Sequence, residues 1–302
     1  ITLNEKDNFI NALGGNDTII YQKGGGQDII NSRDNISAND RLIIKDYNLN
    51  DAIFVKNFCK QNNIPFYMKK VDACSYSAQH KLSLETGARI LRYNFLNETA
   101  QSLKCTSIAT AHNRGDQAET VLMHIIRGSG TSGLSGINPR TQNIIRPLLV
   151  CTRSDIEEYC QRYKLSPRHD FTNDETTYIR NSIRLKLLPF LRKYNPNIES
   201  TLSKTASLIS EENDFIAVYS KSVYDQTAVK ADNKLLLPLD KFSAQHTAIK
   251  RRLIRLAIYS LCNDIKDIEN IHITNVLSLA QKAKTGSQIN LPNGLKAYIE
   301  YS

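Results

Sequence analysis

The chain has 302 residues, of which 41% are apolar and 23% are charged, as is typical of a globular protein with a sizeable core. No apolar run approaches the roughly eighteen residues that a transmembrane helix needs, so we expect no membrane span. The net charge is +9, with −2 on the first 50 residues and +11 on the rest, and this basic body favours a polyanionic partner such as nucleic acid.

The first 48 residues are rich in Gly, Asn and Asp, and Asp recurs before short Ile-containing runs. Gly and Asn suit turns and Ile suits strands, so we predict a short β-rich segment over 1–48. This segment resembles degenerate haemolysin-type calcium-binding repeats, and the resemblance implies calcium binding by Asp17 or Asp28. The spacing departs from the nine-residue repeat, so plain turn-and-strand structure is the alternative that we favour.

From about Asp51 onwards, helical patterns alternate with short apolar runs that are typical of strands. DAIFVKNFCKQNN and LSLETGARILRYNFLNETAQSL have helical spacing, whereas IPFYMKKVD and KCTSIATA are predicted strands. Such alternation predicts an α/β fold with a parallel, doubly wound sheet that binds ligands beyond the carboxyl ends of its strands. We predict this α/β domain over 51–195. A mainly helical domain follows over 196–302, ending in a hairpin about PNG.

Three polar residues, His112, Asp116 and Glu119, lie in TAHNRGDQAETVL, where a predicted strand is followed by an amphipathic helix. The free N–H groups of a helix N-terminus can hold a phosphate. A carboxylate at the same place can instead cap the helix or bind a metal. The position at a strand end favours a site over a simple cap.

Two further stretches are candidates for substrate binding, and each also has a purely structural interpretation. The run RGSGTSGLSG lacks the order of a phosphate loop, so it is either a flexible connection or a loop that contacts substrate. In DFTNDETTYIRNSIRLKLLPFL, Arg180 and Arg184 are four residues apart on one helical face. Their guanidinium groups match phosphate oxygens, although a solvated basic helix face would look the same.

From about Asp51 to the C-terminus, the chain resembles the tRNA(Ile)-lysidine synthases of the PP-loop (N-type) ATP pyrophosphatase family. The matching stretches are LSLETGARILRYNFL, IATAHNRGDQAETVLMHIIRGSGTSGLSGI, IIRPLL and DFTNDETTYIRNSIRLKLLPFL. The resemblance implies a tRNA-modifying ligase that uses ATP and Mg²⁺ to adenylate the wobble cytidine of tRNA(Ile). The amine of free L-lysine then displaces AMP and gives lysidine.

The resemblance also implies roles for individual residues. His112, Asp116 and Glu119 belong to the motif beside the nucleotide, and Asp116 is the candidate for orienting ATP–Mg²⁺. The candidates for binding ATP or tRNA phosphates are Arg89, Arg92 and Arg146. The candidates for binding tRNA or lysine are Arg127, Arg180, Asn181 and Arg184. We expect RNA binding through such contacts to weaken with salt.

The sequence departs from the family pattern at its most characteristic loop. The SGGxDS motif that grips pyrophosphate does not occur, and GGGQDI lacks its serines. Gly115 also stands where the family commonly has Asp or Asn. We therefore expect the first strand and the phosphate loop to be missing, an open sheet edge, and weak or absent ATP binding.

Several alternatives for function follow from this departure. The chain could be a catalytically inactive chimeric or truncated product, or a calcium-binding repeat protein fragment. A sulfur-transferring tRNA enzyme is disfavoured because the six cysteines form no CxxC pair. The scattered cysteines and the absence of a signal-peptide pattern in ITLNEKDNFI lead us to expect a cytoplasmic location. The oligomeric state is left open.

Overall fold

The computed structural model describes most of the chain after the N-terminal segment in full. Backbone and side chains are described for residues 53–165, 179–231, 234–265 and 267–300, except the side chain of Glu85. Before residue 53 the backbone alone is described, for residues 49–52 and for five strands.

Some sequence predictions fall outside this described part. Asp17 and Asp28, the predicted calcium ligands, lie outside the described residues, and so does the GGGQD run at 24–28. The DFTNDETTY stretch at 170–178, just before the two arginines, also lies outside them.

A parallel sheet forms the centre of the α/β region. Its strands are β1 (Thr2–Leu3), β3 (Thr18–Gln22), β5 (Arg41–Lys45), β6 (Phe66–Met68), β7 (Ile108–Ala109), β8 (Arg140–Thr141) and β9 (Ile144–Ile145). Two further strands, β2 (Phe9–Asn11) and β4 (Ile29–Asn31), pair with each other in a separate small sheet. The order across the sheet is β6-β5-β3-β7-β9-β8, with β1 also paired to β3. Neighbours are parallel, except that β8 and β9 are antiparallel.

This order confirms the predicted parallel, doubly wound sheet. From β3 the chain moves outward to β5 and β6, then returns to β7 on the other side of β3 and continues to β9. The direction of winding reverses between β3 and β7. In sheets of this kind the reversal opens a crevice beyond the carboxyl ends of the strands, where ligands bind.

The structure differs from our expectation of a missing first strand and an open edge. β3 pairs with β5 over five residues, and Ile19 of β3 pairs with Ala109 of β7. The reason is that Ile19 and Ile20 favour an extended conformation, and the β3 backbone supplies hydrogen bonds on both sides. The repeat-like N-terminal segment therefore contributes two strands, β3 and β5, to the interior of the main sheet, and β1 also pairs with β3.

Helices alternate with these strands and follow them along the chain. They are α1 (Leu49–Gln61), α2 (Ala73–Gln79), α3 (Leu84–Ser102), α4 (Arg114–Ile126), α5 (Thr131–Leu134), α6 (Arg153–Arg162), α7 (Ile179–Ser182), a π-helical turn (Ile183–Leu187), α8 (Leu188–Arg192) and α9 (Ile198–Thr227). The predicted helix over LSLETGARILRYNFLNETAQSL is confirmed as α3, whose N-cap Ser83 accepts a hydrogen bond from the N–H of Thr86. Leu96 and Ala100 of α3 pack with Ile108 of β7, and this cluster anchors the strand that leads to the polar residues.

By its contacts, the chain divides into two compact units, 1–210 and 211–302. The second contains α10 (Leu239–Ser243), α11 (Thr247–Cys262), α12 (Asn270–Lys282) and the hairpins β10–β11 (Val229–Ala231, Lys234–Leu236) and β12–β13 (Gln288–Asn290, Lys296–Tyr298). The predicted hairpin about PNG is confirmed as β12–β13. The predicted domain boundaries near 50 and 195 stay predictions. None of the helices described combines the length and the apolar character needed to cross a lipid bilayer.

Candidate functional site

The polar residues of the TAHNRGDQAETVL stretch lie at the carboxyl end of β7, where α4 begins. Asn113 is the N-cap of α4, and its Oδ1 accepts a hydrogen bond from the N–H of Asp116 at 3.2 Å. In return, the Asn113 N–H donates to Oδ2 of Asp116 at 2.9 Å. This reciprocal capping box fixes the first turn of α4. Asp116 therefore does act as a cap, which was one of the two roles that the sequence left open.

The same carboxylate also belongs to a buried ionic cluster. Arg184 donates from Nε and Nη2 to the two oxygens of Glu119, at 2.6 and 2.8 Å. Arg180 donates from Nε to Glu119 at 2.9 Å and from Nη2 to Oδ1 of Asp116 at 3.0 Å. The structure thus brings together four residues that the sequence proposed separately, across a separation of more than 60 positions.

Burial and charge balance define the chemistry of this cluster. Asp116 is 3% exposed, Glu119 1% and Arg184 7%, whereas the side chain of Arg180 is 30% exposed. Burial alone would raise the pKa of Glu119, but the charge and hydrogen bonds of Arg184, helped by Arg180, outweigh it and hold that pKa below its ordinary value. Two carboxylates therefore face two guanidinium groups, and Arg180 is the member that reaches towards solvent.

The predicted role of Asp116 in orienting ATP–Mg²⁺ stays a prediction. One of its oxygens accepts from the Asn113 N–H and the other from Arg180, so protein donors already engage both. Within the described residues, moreover, no three His, Cys, Asp or Glu side chains form a group suited to a metal ion. In the structure, the carboxylate binds Arg180 and the first turn of α4.

His112 lies just before this turn and is surrounded by positive charge. Its Nδ1 is 2.9 Å from Oγ1 of Thr110, and its ring is half-buried. Burial is the main cause that lowers the pKa of His112 well below its ordinary value, and the positive charges of nearby arginines lower it further. The arginines that act on it are Arg180, Arg146, Arg89 and Arg92. His112 is therefore neutral at pH 7, within a basic cluster that we call the His112–arginine cluster.

Arg146 is a member of the His112–arginine cluster that hydrogen bonds hold in place. Its Nη1 donates to the carbonyl oxygen of Asn138 at 2.6 Å and to Oγ1 of Thr141 at 3.1 Å. Burial lowers the pKa of Arg146, although nearby Tyr93 opposes this shift. Arg89, on α3, lies over the ring of the same tyrosine, with its guanidinium carbon 5.0 Å from the ring centre.

Two further predicted site residues are Arg127 and Asn181. Arg127 is exposed at the C-cap of α4, roughly 17 Å along the helix from Asp116 at 1.5 Å per residue. Asn181 is buried on α7, next to Arg180 in sequence. The glycine-rich run after α4 forms the short helix α5 and returns towards the first turn of α4 at Ile137. Whether this run contacts substrate stays a prediction.

Sequence reasoning missed two residues that order the site. Asn113 could have been found, because an N-cap residue followed three positions later by an acid is the pattern of a capping box. Gln117 carries no such signal, since a single Gln on a helix is normally exposed. In the structure it is buried and hydrogen-bonded to the backbone of Ile137.

Comparisons with known proteins identify the kind of domain that contains this site. Residues 43–191 match the family model described as PP-loop domain. This segment is a PP-loop domain. The match includes β7, α4 and both arginines of the ionic cluster, and it begins after most of the repeat-like segment.

The chain is also similar to curated proteins over most of its length. It is 42% identical over 253 residues to the tRNA(Ile)-lysidine synthase of Clostridium acetobutylicum, covering 83% of this chain and 54% of that protein. It is 37% identical over 251 residues to the tRNA(Ile)-lysidine synthase of Clostridioides difficile, covering 82% and 54%. The chain spans about half the length of these curated relatives.

Among solved structures, the U34-tRNA thiolase NcsA of Methanococcus maripaludis has a TM-score of 0.40 and 17% identity, covering 57% of this chain and 62% of that chain. The family and the relatives named here give no support to the resemblance between residues 1–48 and calcium-binding repeats.

Proposed function

We propose that this chain takes part in the ATP-dependent conversion of the wobble cytidine of tRNA(Ile) to lysidine. The PP-loop domain and the similarity to proteins named tRNA(Ile)-lysidine synthase support this proposal. The single observation that carries it is that Asp116 and Glu119, buried where α4 begins after β7, hold a partly exposed Arg180. A concentration of positive charge at the topological switch point of a doubly wound sheet suits a phosphate-bearing substrate.

In the proposed reaction the cytidine attacks the α-phosphorus of ATP, the bond to the bridging oxygen breaks, and pyrophosphate leaves. The amine of L-lysine then displaces AMP from the base and loses a proton. Arg89, Arg92 and Arg146 stabilise the negative charge that develops on phosphate oxygens, because guanidinium groups match those oxygens in geometry and charge. Mg²⁺, when bound with ATP, would offset further phosphate charge.

The ionic cluster has a positioning role in this proposal. Asp116 and Glu119 hold Arg180 by two hydrogen bonds, and the positive charge of Arg180 lowers the pKa of His112. Arg184 is buried against Glu119, which makes it a support rather than a contact for tRNA or lysine. His112 offers a neutral hydrogen-bonding ring at pH 7 rather than a fifth positive charge.

The experiment that tests this function is AMP formation with each substrate omitted in turn. We expect AMP release to require ATP, L-lysine and a tRNA(Ile) transcript with cytidine at the wobble position. Asp116→Asn keeps an oxygen for the Asn113 N–H but removes the charge that holds Arg180. We expect it to lose about 100-fold in rate, as when an active site loses an aligned donor. AMP release that is independent of lysine, or unaffected by Asp116→Asn, would contradict the proposal.

A second candidate function is binding of tRNA without catalysis. The observation that favours it is the absence of an SGGxDS motif from the sequence, because backbone N–H groups of such a loop cradle the leaving pyrophosphate. This candidate predicts weak or absent ATP binding and no AMP release, together with salt-sensitive binding of the tRNA transcript. Micromolar affinity for ATP in a calorimetric titration would contradict it.

A further inference from the structure

Gln117 forms an unusual contact on the first turn of α4. It is 5% exposed, and its side-chain amide makes two hydrogen bonds with the backbone of one residue, Ile137. Its Oε1 accepts from the Ile137 N–H at 2.6 Å, and its Nε2 donates to the Ile137 carbonyl at 3.3 Å. The amide thus binds Ile137 as a neighbouring strand would, through one donor and one acceptor.

The residue before Ile137 is Gly136, which leaves room for this contact because it has no side chain. Gly136 has φ +65°, and a Cβ placed on it would lie 2.6 Å from Oε1 and 3.0 Å from Nε2 of Gln117. Any side chain at 136 would therefore collide with the amide and would also strain the backbone. Gln117 and Gly136 form a matched pair, which we call the amide clamp.

The amide clamp leads directly to the His112–arginine cluster. Asn138 follows Ile137, and its carbonyl oxygen accepts from Nη1 of Arg146 at 2.6 Å. The backbone N–H of Arg146 donates to the carbonyl of Pro139 at 2.9 Å. The segment that Gln117 holds is thus the segment that binds Arg146 through both its side chain and its backbone.

We infer that Gln117 is a positioning residue for Arg146, acting through the backbone of residues 136–139. It connects the first turn of α4, where Asp116 fixes Arg180, to the segment that fixes Arg146. Two arginines from distant parts of the sequence are thereby set relative to the same helix turn. That Arg146 then binds phosphate rests on the proposed function, whereas the positioning itself does not.

The test replaces Gln117 by Met, which has similar length but cannot accept and donate the two hydrogen bonds. Gln161→Met, at an exposed position on α6, is the matched control. Gly136→Ala places a methyl group against the Gln117 amide without changing the sequence of α4. It therefore provides a second test if Gln117→Met folds poorly. The measurements are hydrogen exchange at the Ile137 and Arg146 amides, and ATP binding with and without Arg146→Met.

We expect Gln117→Met and Gly136→Ala to speed exchange at both amides by about tenfold, because the hydrogen bonds that order the segment are lost. We also expect each clamp variant to weaken ATP binding about tenfold when Arg146 is present. When Arg146 is replaced by Met, the clamp variants should cause no further loss of ATP affinity. Unchanged exchange, or full additivity with Arg146→Met, would overturn the inference.

Failure of the proposed function would be recognised separately. If the wild-type chain binds no ATP, the nucleotide proposal fails, and exchange at the Arg146 amide decides the inference. Faster exchange there in both clamp variants, with Gln161→Met unchanged, supports the positioning role. Unchanged exchange there overturns it.

Discussion

The two compact units of this chain differ in what they bury, because the first unit contains a buried ionic cluster in addition to its apolar clusters. At the head of α4, the interior is ionic, with Asp116, Glu119 and Arg184 nearly free of solvent contact. In the unit formed by 211–302, the interior is apolar and joins α10, α11 and α12. Its buried members are Phe242, Ile249, Leu253, Ile254, Ile258, Ile268, Ile273 and Leu277.

The difference teaches which interior serves stability and which serves a site. Apolar side chains gain roughly 25 cal/mol for each Å² removed from water and need no exact partner. Buried ions lose hydration, so a buried ion pair often contributes no more than an apolar replacement would. An ionic interior is therefore a costly way to fill space, and its presence at the carboxyl end of β7 supports the proposed role of Asp116 and Glu119 in positioning Arg180.

The largest effect is expected from breaking the ionic interior. Glu119→Ala leaves Arg184 buried without its main partner, so the free energy of unfolding should fall by about 3–5 kcal/mol. Chemical denaturation measures this loss. The control is Glu157→Ala, which removes an exposed pair with Arg153 and should cost about 0.5 kcal/mol or less. Similar losses for the two variants would contradict the importance that we give to burial.

Truncating an apolar side chain in the second unit should lower the stability of the protein but leave ATP binding unchanged. Leu253 is 1% exposed on α11. We expect Leu253→Ala to lower the free energy of unfolding by about 2–5 kcal/mol, because neighbouring side chains only partly fill the cavity that it leaves. At a temperature where this variant remains folded, ATP binding should equal that of the wild type. A matching loss of ATP binding would show that the comparison between the two interiors is wrong.

A smaller effect is expected from His112 and depends on pH. Its pKa is lowered in the folded state, so the unfolded chain binds the proton more readily. Stability should therefore fall as the pH drops below the unfolded value of about 6.5, by at most about 1.4 kcal/mol per pH unit. His112→Gln should remove this dependence between pH 6.5 and 5.5. Identical pH profiles for the two proteins, measured by denaturation, would rule out the shifted pKa.

The smallest effect is expected from an exposed pair on α9. Lys221 and Asp225 form an ion pair four residues apart, and both side chains are more than half exposed. Lys221→Ala should change the free energy of unfolding by about 0.5 kcal/mol or less, because water and salt screen the attraction. A change above 1 kcal/mol in a denaturant titration would mean that surface charge matters here as much as burial.

The parts of this structure that were predictable from sequence are those with local signals. The helical spacing of α3 and the turn residues of the PNG hairpin determine those elements, and both are confirmed. The pairing of Glu119 with Arg180 and Arg184 was not predictable, because more than 60 residues separate them and no local pattern links them. The wrong expectation of an open edge has a related cause. Only the tertiary pairing of β3 with β7 fixes its place in the sheet.

The central claim is that the His112–arginine cluster binds the phosphates of the nucleotide. Calorimetric titration with ATP and Mg²⁺ tests it most directly, in the wild type, in Arg146→Met, and in Arg162→Met at an exposed position on α6. We predict an affinity at least about tenfold weaker for Arg146→Met and unchanged for Arg162→Met, because only Arg146 belongs to the cluster. Equal affinities for all three proteins, or no binding by the wild type, would contradict the account.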